Sequence, residues 1–236
     1  MIPLYDDNPT EKKSYIRLAI LIVCSVIFLF QISSNNNEFL VYYFGFKPAS
    51  LFYKLDSITF NPILTIFTSM FMHGGWMHFL GNMLYLWIFA DNVEDKMGRK
   101  KFILFYILSG CVATFTQAMI NLNSNVPMIG ASGAIAGVLG AYLHLFPKAK
   151  VLVLVPLIIF FTVRIPAFTL LIFWFIYQFL NLSNVNSSVA WLAHIGGFIF
   201  GYIFALIFEK KEHKKLSKKG QSIFIKKKMD PGAKQV

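Results

Sequence analysis

Apolar segments separated by short polar loops fill most of the sequence between residues 15 and 208. An α-helix needs about 20 apolar residues to cross the hydrocarbon core of a bilayer. Only 14% of the residues are charged, against about a quarter in a soluble domain. The sequence therefore predicts an all-α, polytopic membrane protein with a bundle of six transmembrane helices. The predicted spans are residues 15–31, 75–90, 102–120, 128–146, 166–182 and 189–208.

Two further apolar runs, residues 61–72 and 151–163, are too short to cross a membrane as helices. Pro156 argues further against a span in the second run. We expect both runs to lie at the membrane interface or to pack inside the bundle. The first span is too long for a signal-peptide core and has no small-residue cleavage site after it, so we expect it to be retained.

Basic residues predict the orientation of the chain. The net charge is +11, but the Lys and Arg residues are concentrated in the tail from Lys210 onward, which is a topology signal and argues against nucleic acid as a partner. With six spans and a cytoplasmic N-terminus, every Lys and Arg except Lys47 and Lys54 falls on the inside. The predicted parts are a cytoplasmic segment 1–14, a membrane domain 15–208 and a basic cytoplasmic tail 209–236.

Polar residues in the second, fourth and sixth spans lie at one predicted depth. These three spans run in the same direction, so their first turns all lie near the outer face. The turns contain His78 and Asn82, Ser132, and His194. Polar side chains in a bilayer are costly and normally face a cavity or one another. We therefore expect these four residues to form one site.

The chemistry of this site depends on Ser132 and His194. A serine hydroxyl is a weak nucleophile until a neighbouring base takes its proton. His194, Gly197 and Gly201 share one helical face, and such small residues let two helices approach closely. Spans four and six can then bring the imidazole within about 3 Å of the hydroxyl. The alternative is that the glycines serve packing alone and that the serine and histidine are incidental.

His78 and Asn82 are four residues apart and so face the same way. Acyl transfer builds negative charge on a carbonyl oxygen, and hydrogen-bond donors aimed at that oxygen lower the barrier. His78, Asn82 and the backbone N–H of Ser132 could form such an oxyanion hole. Alternatively, Asn82 hydrogen-bonds to another helix and His78 reaches the outer interface. We expect His73 to be structural.

The sequence lacks the residues that other kinds of intramembrane active site require. All acidic residues lie in loops, termini or span ends, so we expect no carboxylate behind His194, and the site resembles a dyad. Intramembrane aspartyl chemistry would need an Asp inside a span. No His-Glu-x-x-His run is present, and Cys24 and Cys111 are isolated, so we expect no metal and no cofactor. A transporter would place its polar residues near the midplane.

Four motifs together resemble the rhomboid family of intramembrane proteases. They are the Gly-x-Ser-Gly run at Gly130–Gly133, the run from His194 through Gly197 to Gly201, the pair His78 and Asn82, and Glu94 with Gly98. The resemblance covers about residues 15–208, with the motifs in the family's order. It implies structural roles for Gly130, Gly133, Gly197, Gly201, Glu94 and Gly98.

The resemblance implies a serine endopeptidase that cleaves transmembrane segments near their outer ends. Ser132 would be the nucleophile and His194 the general base and then acid, in a water-filled cavity open to the outer side. Span five and the loop 181–189 would form a lateral gate and cap. The alternative is a non-catalytic relative that binds membrane clients, although such relatives typically lack the serine or the histidine.

The expected partners are therefore transmembrane protein substrates and the lipid bilayer. We expect the protein to lie in a bacterial cytoplasmic membrane as a multi-pass protein, with both termini cytoplasmic and the active site on the extracytoplasmic side.

The sequence departs from the family pattern twice. Many members carry a Trp-Arg pair in the first loop, and none occurs between Ser34 and Phe60. Some members have an aromatic residue four positions after the serine, where it stacks on the catalytic imidazole, and here that position is Ala136. Another group must therefore orient His194, or its orientation is looser.

Overall fold

The computed structural model describes residues 1–34, 36–51, 60–120, 122–156, 160–184 and 189–229, without the side chains of residues 160, 213 and 215–229. The described part is mostly helical. Its helices are α1 (Tyr15–Ser33), α2 (Asn37–Phe44), α3 (Pro62–Thr68), α4 (Trp76–Met97), α5 (Arg99–Ala118), α6 (Ser132–Leu145), α7 (Ala167–Leu180) and α8 (Trp191–Met229). Its strands are β1 (Ile2–Asp6), β2 (Lys150–Pro156) and β3 (Phe160–Pro166).

Six of these helices coincide with the six predicted spans: α1, α4, α5, α6, α7 and α8. Within the described ranges, three stretches are long and apolar enough to cross a membrane, namely Tyr15–Ser33, Arg99–Ala118 and Trp191–Glu212. Helices α6 and α7 are apolar but have only 14 residues each. The mostly helical fold is thus confirmed, and the three candidate spans are consistent with a multi-pass membrane protein, whereas the count of six crossings stays a prediction.

The sequence predicted an all-α fold, and this prediction is wrong in one respect, because the structure also contains a small β-sheet. The described residues of the apolar run 151–163 lie in β2 and β3, which pair with each other. Strand β1 pairs with the other side of β2 to give an antiparallel sheet in the order β1-β2-β3. Val151 and Val153 are fully buried and alternate with partly exposed residues, which is the period of two that a strand requires. The sheet lies beyond the end of α6, away from Ser132.

The apolar run 61–72 packs against the first loop. Asn61 caps α3 by accepting hydrogen bonds from the backbone N–H groups of Ile63 and Leu64, and Pro62 occupies the first helical position, where its missing N–H costs nothing. Ile66 is buried in a small cluster with Phe46 and Ala118. A 3₁₀ turn, Ser69–Phe71, then leads the chain to α4.

Helix α6 forms the centre of the bundle and is buried from Gly133 to Leu143. Its glycines let α8 approach with the two backbones in contact. A Cβ atom on Gly197 would lie 2.2 Å from the Gly133 carbonyl oxygen, and one on Gly140 would lie 2.0 Å from that of Phe198. The close packing predicted for spans four and six is therefore observed.

Glu94 and Gly98 lie at the end of α4 remote from Ser132. The Glu94 carboxylate accepts hydrogen bonds from the backbone N–H groups of Ile16 (3.1 Å) and Arg17 (2.8 Å), which the first turn of α1 leaves without helical partners. Gly98 separates α4 from α5 with a φ of 78°, a conformation that favours glycine. Helix α8 continues without interruption past residue 208, where we predicted the membrane domain to end.

Candidate active site

Ser132 and His194 meet where α6 and α8 begin. The Oγ atom of Ser132 lies 2.8 Å from Nε2 of His194, although the residues are 62 positions apart. Ser132 is the first residue of α6, and His194 lies in the first turn of α8. This is the hydrogen-bond distance that proton transfer between a hydroxyl and an imidazole requires.

The chain that leads into Ser132 is held by the first loop and the 3₁₀ turn. Phe46 and Met128 exchange backbone hydrogen bonds, and the Gly130 N–H donates to the carbonyl oxygen of Ser69 at 2.8 Å. Gly130 has a φ of 129°, which an L-residue rarely adopts. These contacts set where α6 starts. The sequence predicted the glycine but not its partner.

His78 and Asn82 face the same space from α4. The Gly74 N–H donates to Nδ1 of His78 at 3.3 Å, which leaves the ring proton on Nε2. This Nε2 lies beside Gly130, because a Cβ atom added there would come within 2.7 Å of it. Asn82 is buried, and its Nδ2 has no hydrogen-bond partner among the described residues. Both side chains thus offer a donor to the space that Ser132 borders.

A cavity of about 1040 Å³ joins these groups. Ser132, His194, His78 and Asn82 all line it, so the structure brings the four predicted residues to one space. The remaining wall is largely apolar, with side chains that include Ile135, Leu139 and Trp174. Apolar walls with a few convergent polar groups are typical of ligand sites.

The sequence reasoning missed Gln178. Its Oε1 lies 2.8 Å from Nδ1 of His194, and its Nε2 donates to the backbone carbonyl of Trp174 at 2.7 Å. The second imidazole nitrogen thus has an amide partner on α7, which is an orienting group of the kind that the absence of an aromatic residue at position 136 called for. The available signal was a glutamine inside an apolar segment, where a polar residue needs a reason.

Helix α7 also supplies the aromatic neighbour that Ala136 cannot provide. The Trp174 ring lies 5.8 Å from the His194 ring, with an angle of 35° between the planes. The first turn of α8 is held separately by Gln117 of α5, whose Oε1 accepts from the N–H groups of Leu192 (3.1 Å) and Ala193 (3.2 Å). The orientation of His194 thus depends on three helices. Residues 185–188 of the predicted cap lie outside the described residues.

His73, for which we predicted a structural role, lies beside His78. The His73 ring is buried. Its centroid lies 5.3 Å from that of the His78 ring and 5.4 Å from that of the Phe79 ring, which it meets edge-on. Gln31 of α1 fixes its backbone, donating to the carbonyl oxygen at 3.2 Å and accepting from the N–H at 3.1 Å. This cluster supports the first turn of α4, which carries His78.

The structure is a helical bundle with three candidate membrane spans among the described residues, in which a serine and a histidine are in hydrogen-bond contact. The chain belongs to the rhomboid family, because the model of the rhomboid domain matches residues 61–211. The family resemblance inferred from the four motifs is thereby confirmed.

Three relatives illustrate the match. Presenilin-associated rhomboid-like protein A, mitochondrial, of Danio rerio is 30% identical over 188 residues, which are 74% of this chain and 44% of that protein. Rhomboid protease GluP of Bacillus subtilis is 31% identical over 200 residues, 84% and 34% of the two chains. Rhomboid protein 1, mitochondrial, of Saccharomyces cerevisiae is 28% identical over 163 residues, 67% and 46%. The matched stretch covers less than half of each relative.

Proposed function

We propose that this protein is an intramembrane serine endopeptidase that cleaves transmembrane segments of other membrane proteins near their outer ends. The observation that carries the proposal is the 2.8 Å contact between Ser132 Oγ and His194 Nε2 on the wall of a cavity. Family membership supports the same reaction class, since one matched relative is named a rhomboid protease.

In the proposed reaction, Ser132 Oγ attacks the carbonyl carbon of the scissile peptide bond while His194 Nε2 takes the hydroxyl proton. The tetrahedral intermediate then collapses, and the same proton passes to the leaving amine. A water molecule, deprotonated by His194, hydrolyses the acyl-enzyme and frees Ser132. The residues therefore return to their starting state after one turnover.

The oxyanion of the tetrahedral intermediate needs preorganised donors. His78 Nε2–H and the unpartnered Nδ2 of Asn82 are two candidates. The backbone N–H of Ser132 is the third, because the first N–H groups of a helix have no partner within it. Ala131, the residue that precedes α6, has no polar side chain to cap them. Such donors are worth several kcal/mol when they point at the developing charge.

Helix length supports a site below the membrane surface. At about 1.5 Å per residue, the 14 residues of α6 span roughly 21 Å, against a hydrocarbon core of about 30 Å. With its C-terminal end at the inner interface, α6 would start roughly 10 Å below the outer surface. Ser132 would then meet a substrate within the bilayer, and water would reach it through the cavity.

We infer six crossings with both termini on the cytoplasmic side, as the distribution of basic residues favours. The membrane domain would then comprise residues 15–208, and the cavity would open away from the cytoplasm. Helix α7 and the segment 181–189 would control lateral access of a substrate segment.

Labelling with a fluorophosphonate probe tests the proposal, because such a probe reacts with an activated serine. We expect the purified protein to be modified at Ser132, and the Ser132→Ala and His194→Ala variants to be neither labelled nor able to cleave a single-span substrate. Ser109→Ala is the matched control, since this buried serine on α5 donates to the Phe105 carbonyl oxygen and is not among the described residues that line the cavity. It should keep both activities.

A folded wild-type protein without labelling at Ser132 would contradict the protease proposal. It would favour the alternative, a rhomboid-like protein that binds membrane clients without cutting them. Labelling that persists in Ser132→Ala would place the nucleophile elsewhere.

A further inference from the structure

We propose that Gln178 is a positioning residue that fixes the tautomer and the orientation of His194. The inference rests on the proposed function, because it explains how the imidazole is prepared to act as a base. Gln178 and His194 are 2% and 9% exposed, so water competes little for the bond between them.

The orientation of the Gln178 amide follows from its second contact. The Trp174 carbonyl oxygen can only accept a hydrogen bond, so the NH₂ group of Gln178 must face it. The Oε1 atom therefore faces Nδ1 of His194 and can only accept. Because Oε1 needs a donor, the ring proton of His194 lies on Nδ1.

A neutral imidazole carries one ring proton, so a proton on Nδ1 leaves the lone pair of Nε2 free. This lone pair points at Ser132 Oγ, 2.8 Å away. The other tautomer would place N–H against the hydroxyl and could not take its proton. Gln178 therefore holds the ring in the form that a general base requires.

A neutral amide suits this position better than a carboxylate. An ionised carboxylate would face the Trp174 carbonyl oxygen with its second oxygen, acceptor against acceptor. It would also bury a charge in an apolar wall, which is expensive without a full set of partners. Trp174 and Gln178 are four residues apart on α7 and so lie on one face of that helix. From this face, Trp174 packs against the plane of the His194 imidazole, and Gln178 binds its Nδ1 atom.

The first test is spectroscopic and needs no activity. In protein labelled with ¹⁵N-histidine, we expect the His194 signals to show a protonated Nδ1 and an unprotonated Nε2, with the assignment made by their loss in His194→Ala. The Gln178→Leu variant should show a mixture of the two tautomers. A wild-type His194 with its proton on Nε2 would overturn the inference, whether or not the protein is a protease.

The second test is kinetic. For cleavage of a single-span substrate, Gln178→Leu should lower kcat about 10- to 100-fold, as loss of an orienting partner typically does, and change KM less than about twofold. Gln178→Glu should retain most of the activity, because a protonated carboxyl can donate to Trp174 and accept from Nδ1. This rescue distinguishes positioning from a general loss of packing.

Ser25→Ala on α1 is the matched control. Its Oγ donates to the carbonyl oxygen of Leu21 at 2.7 Å, a bond across four residues like that from Gln178 to Trp174, but among the described residues its side chain has no contact with His194. It should leave kcat unchanged. A wild-type kcat in Gln178→Leu, or an equal loss in Ser25→Ala, would contradict the inference.

Discussion

A Cβ atom on Gly201 would lie 1.9 Å from the carbonyl oxygen of Gly137, so the backbones of α6 and α8 are in direct contact at this level. This contact lies two turns along α8 from His194 and continues towards the site through Gly197 on Gly133. The distance between the serine and the imidazole is therefore set by glycines that have no chemical role of their own.

The Gly201→Ala substitution should separate these helices. The three atoms nearest the new methyl group all belong to the Gly137 backbone, which cannot move aside as a side chain can. We expect a loss of about 1–3 kcal/mol in unfolding free energy and at least a tenfold slower labelling of Ser132. Thermal unfolding in detergent measures the first and probe kinetics the second.

Gly81→Ala on α4 is the control for stability, because a Cβ there meets nothing within 4 Å. It should be neutral or slightly stabilising, since alanine favours a helix over glycine. Equal losses of stability in the two variants would contradict the role given to the Gly201 contact.

Asn82→Ala should separate function from stability. The Nδ2 atom of Asn82 is buried and has no hydrogen-bond partner in the described structure. The substitution therefore breaks no hydrogen bond from this atom. We expect the unfolding free energy to stay the same or to rise by up to about 1–3 kcal/mol, whereas kcat should fall about 10²- to 10³-fold with the loss of an oxyanion donor. Chemical denaturation and turnover measured on one preparation test both. A clear loss of stability would instead favour Asn82 as a residue that bonds helices together.

Gly130→Ala should displace His78. The backbone there has a φ of 129°, and a Cβ would come within 2.7 Å of the imidazole Nε2. We expect a loss of at least tenfold in kcat from the misplaced donor, together with about 1–2 kcal/mol of backbone strain. Gly74→Ala should lose far less, because a Cβ there lies 3.7 Å from the same ring, an ordinary contact. A similar kcat for the two variants would remove this role of Gly130.

The carboxyl group of Asp6 should make stability depend on pH. Burial raises the pKa of Asp6 to about 6 from its ordinary 3.8; the hydrogen bond from the Tyr142 hydroxyl opposes the rise, and the charge of Asp91 adds to it. The folded protein thus holds this proton more tightly than the unfolded chain does. The unfolding free energy should therefore fall as pH rises from about 4 to about 6, and stay lower above that range.

Asp6→Asn keeps an acceptor for Tyr142 but removes the charge. We expect it to abolish this fall and to stabilise the protein at pH 8 by about 1–2 kcal/mol, less than the full shift implies because water reaches part of the carboxylate. Asp7→Asn is the control, since Asp7 forms an exposed ion pair with Arg164 at 3.2 Å. Unfolding midpoints at pH 5 and pH 8 measure the difference, and parallel pH curves for Asp6→Asn and the wild type would contradict it.

The sequence predicted the helices of the bundle because apolar length is a local property. It also predicted which residues share the cavity, because helices of known direction place the first turns of α4, α6 and α8 together. It failed at residues 151–163, where an apolar run of 13 residues fits a strand pair as well as a helix, and only pairing with the distant β1 decides between them.

Gln178 shows a second limit of what can be predicted from the sequence. Its position in an apolar segment marks it as unusual, but the partner on His194 depends on how α7 packs against α8, which no local pattern encodes. The same holds for the Ser69 carbonyl that fixes Gly130.

The sequence by itself determined the membrane class, the family and the residues that carry the proposed chemistry, because hydropathy and motif spacing are written along the chain. Only the tertiary structure decided which atom each nitrogen of His194 faces and where the sheet forms, because these depend on contacts between segments far apart in sequence.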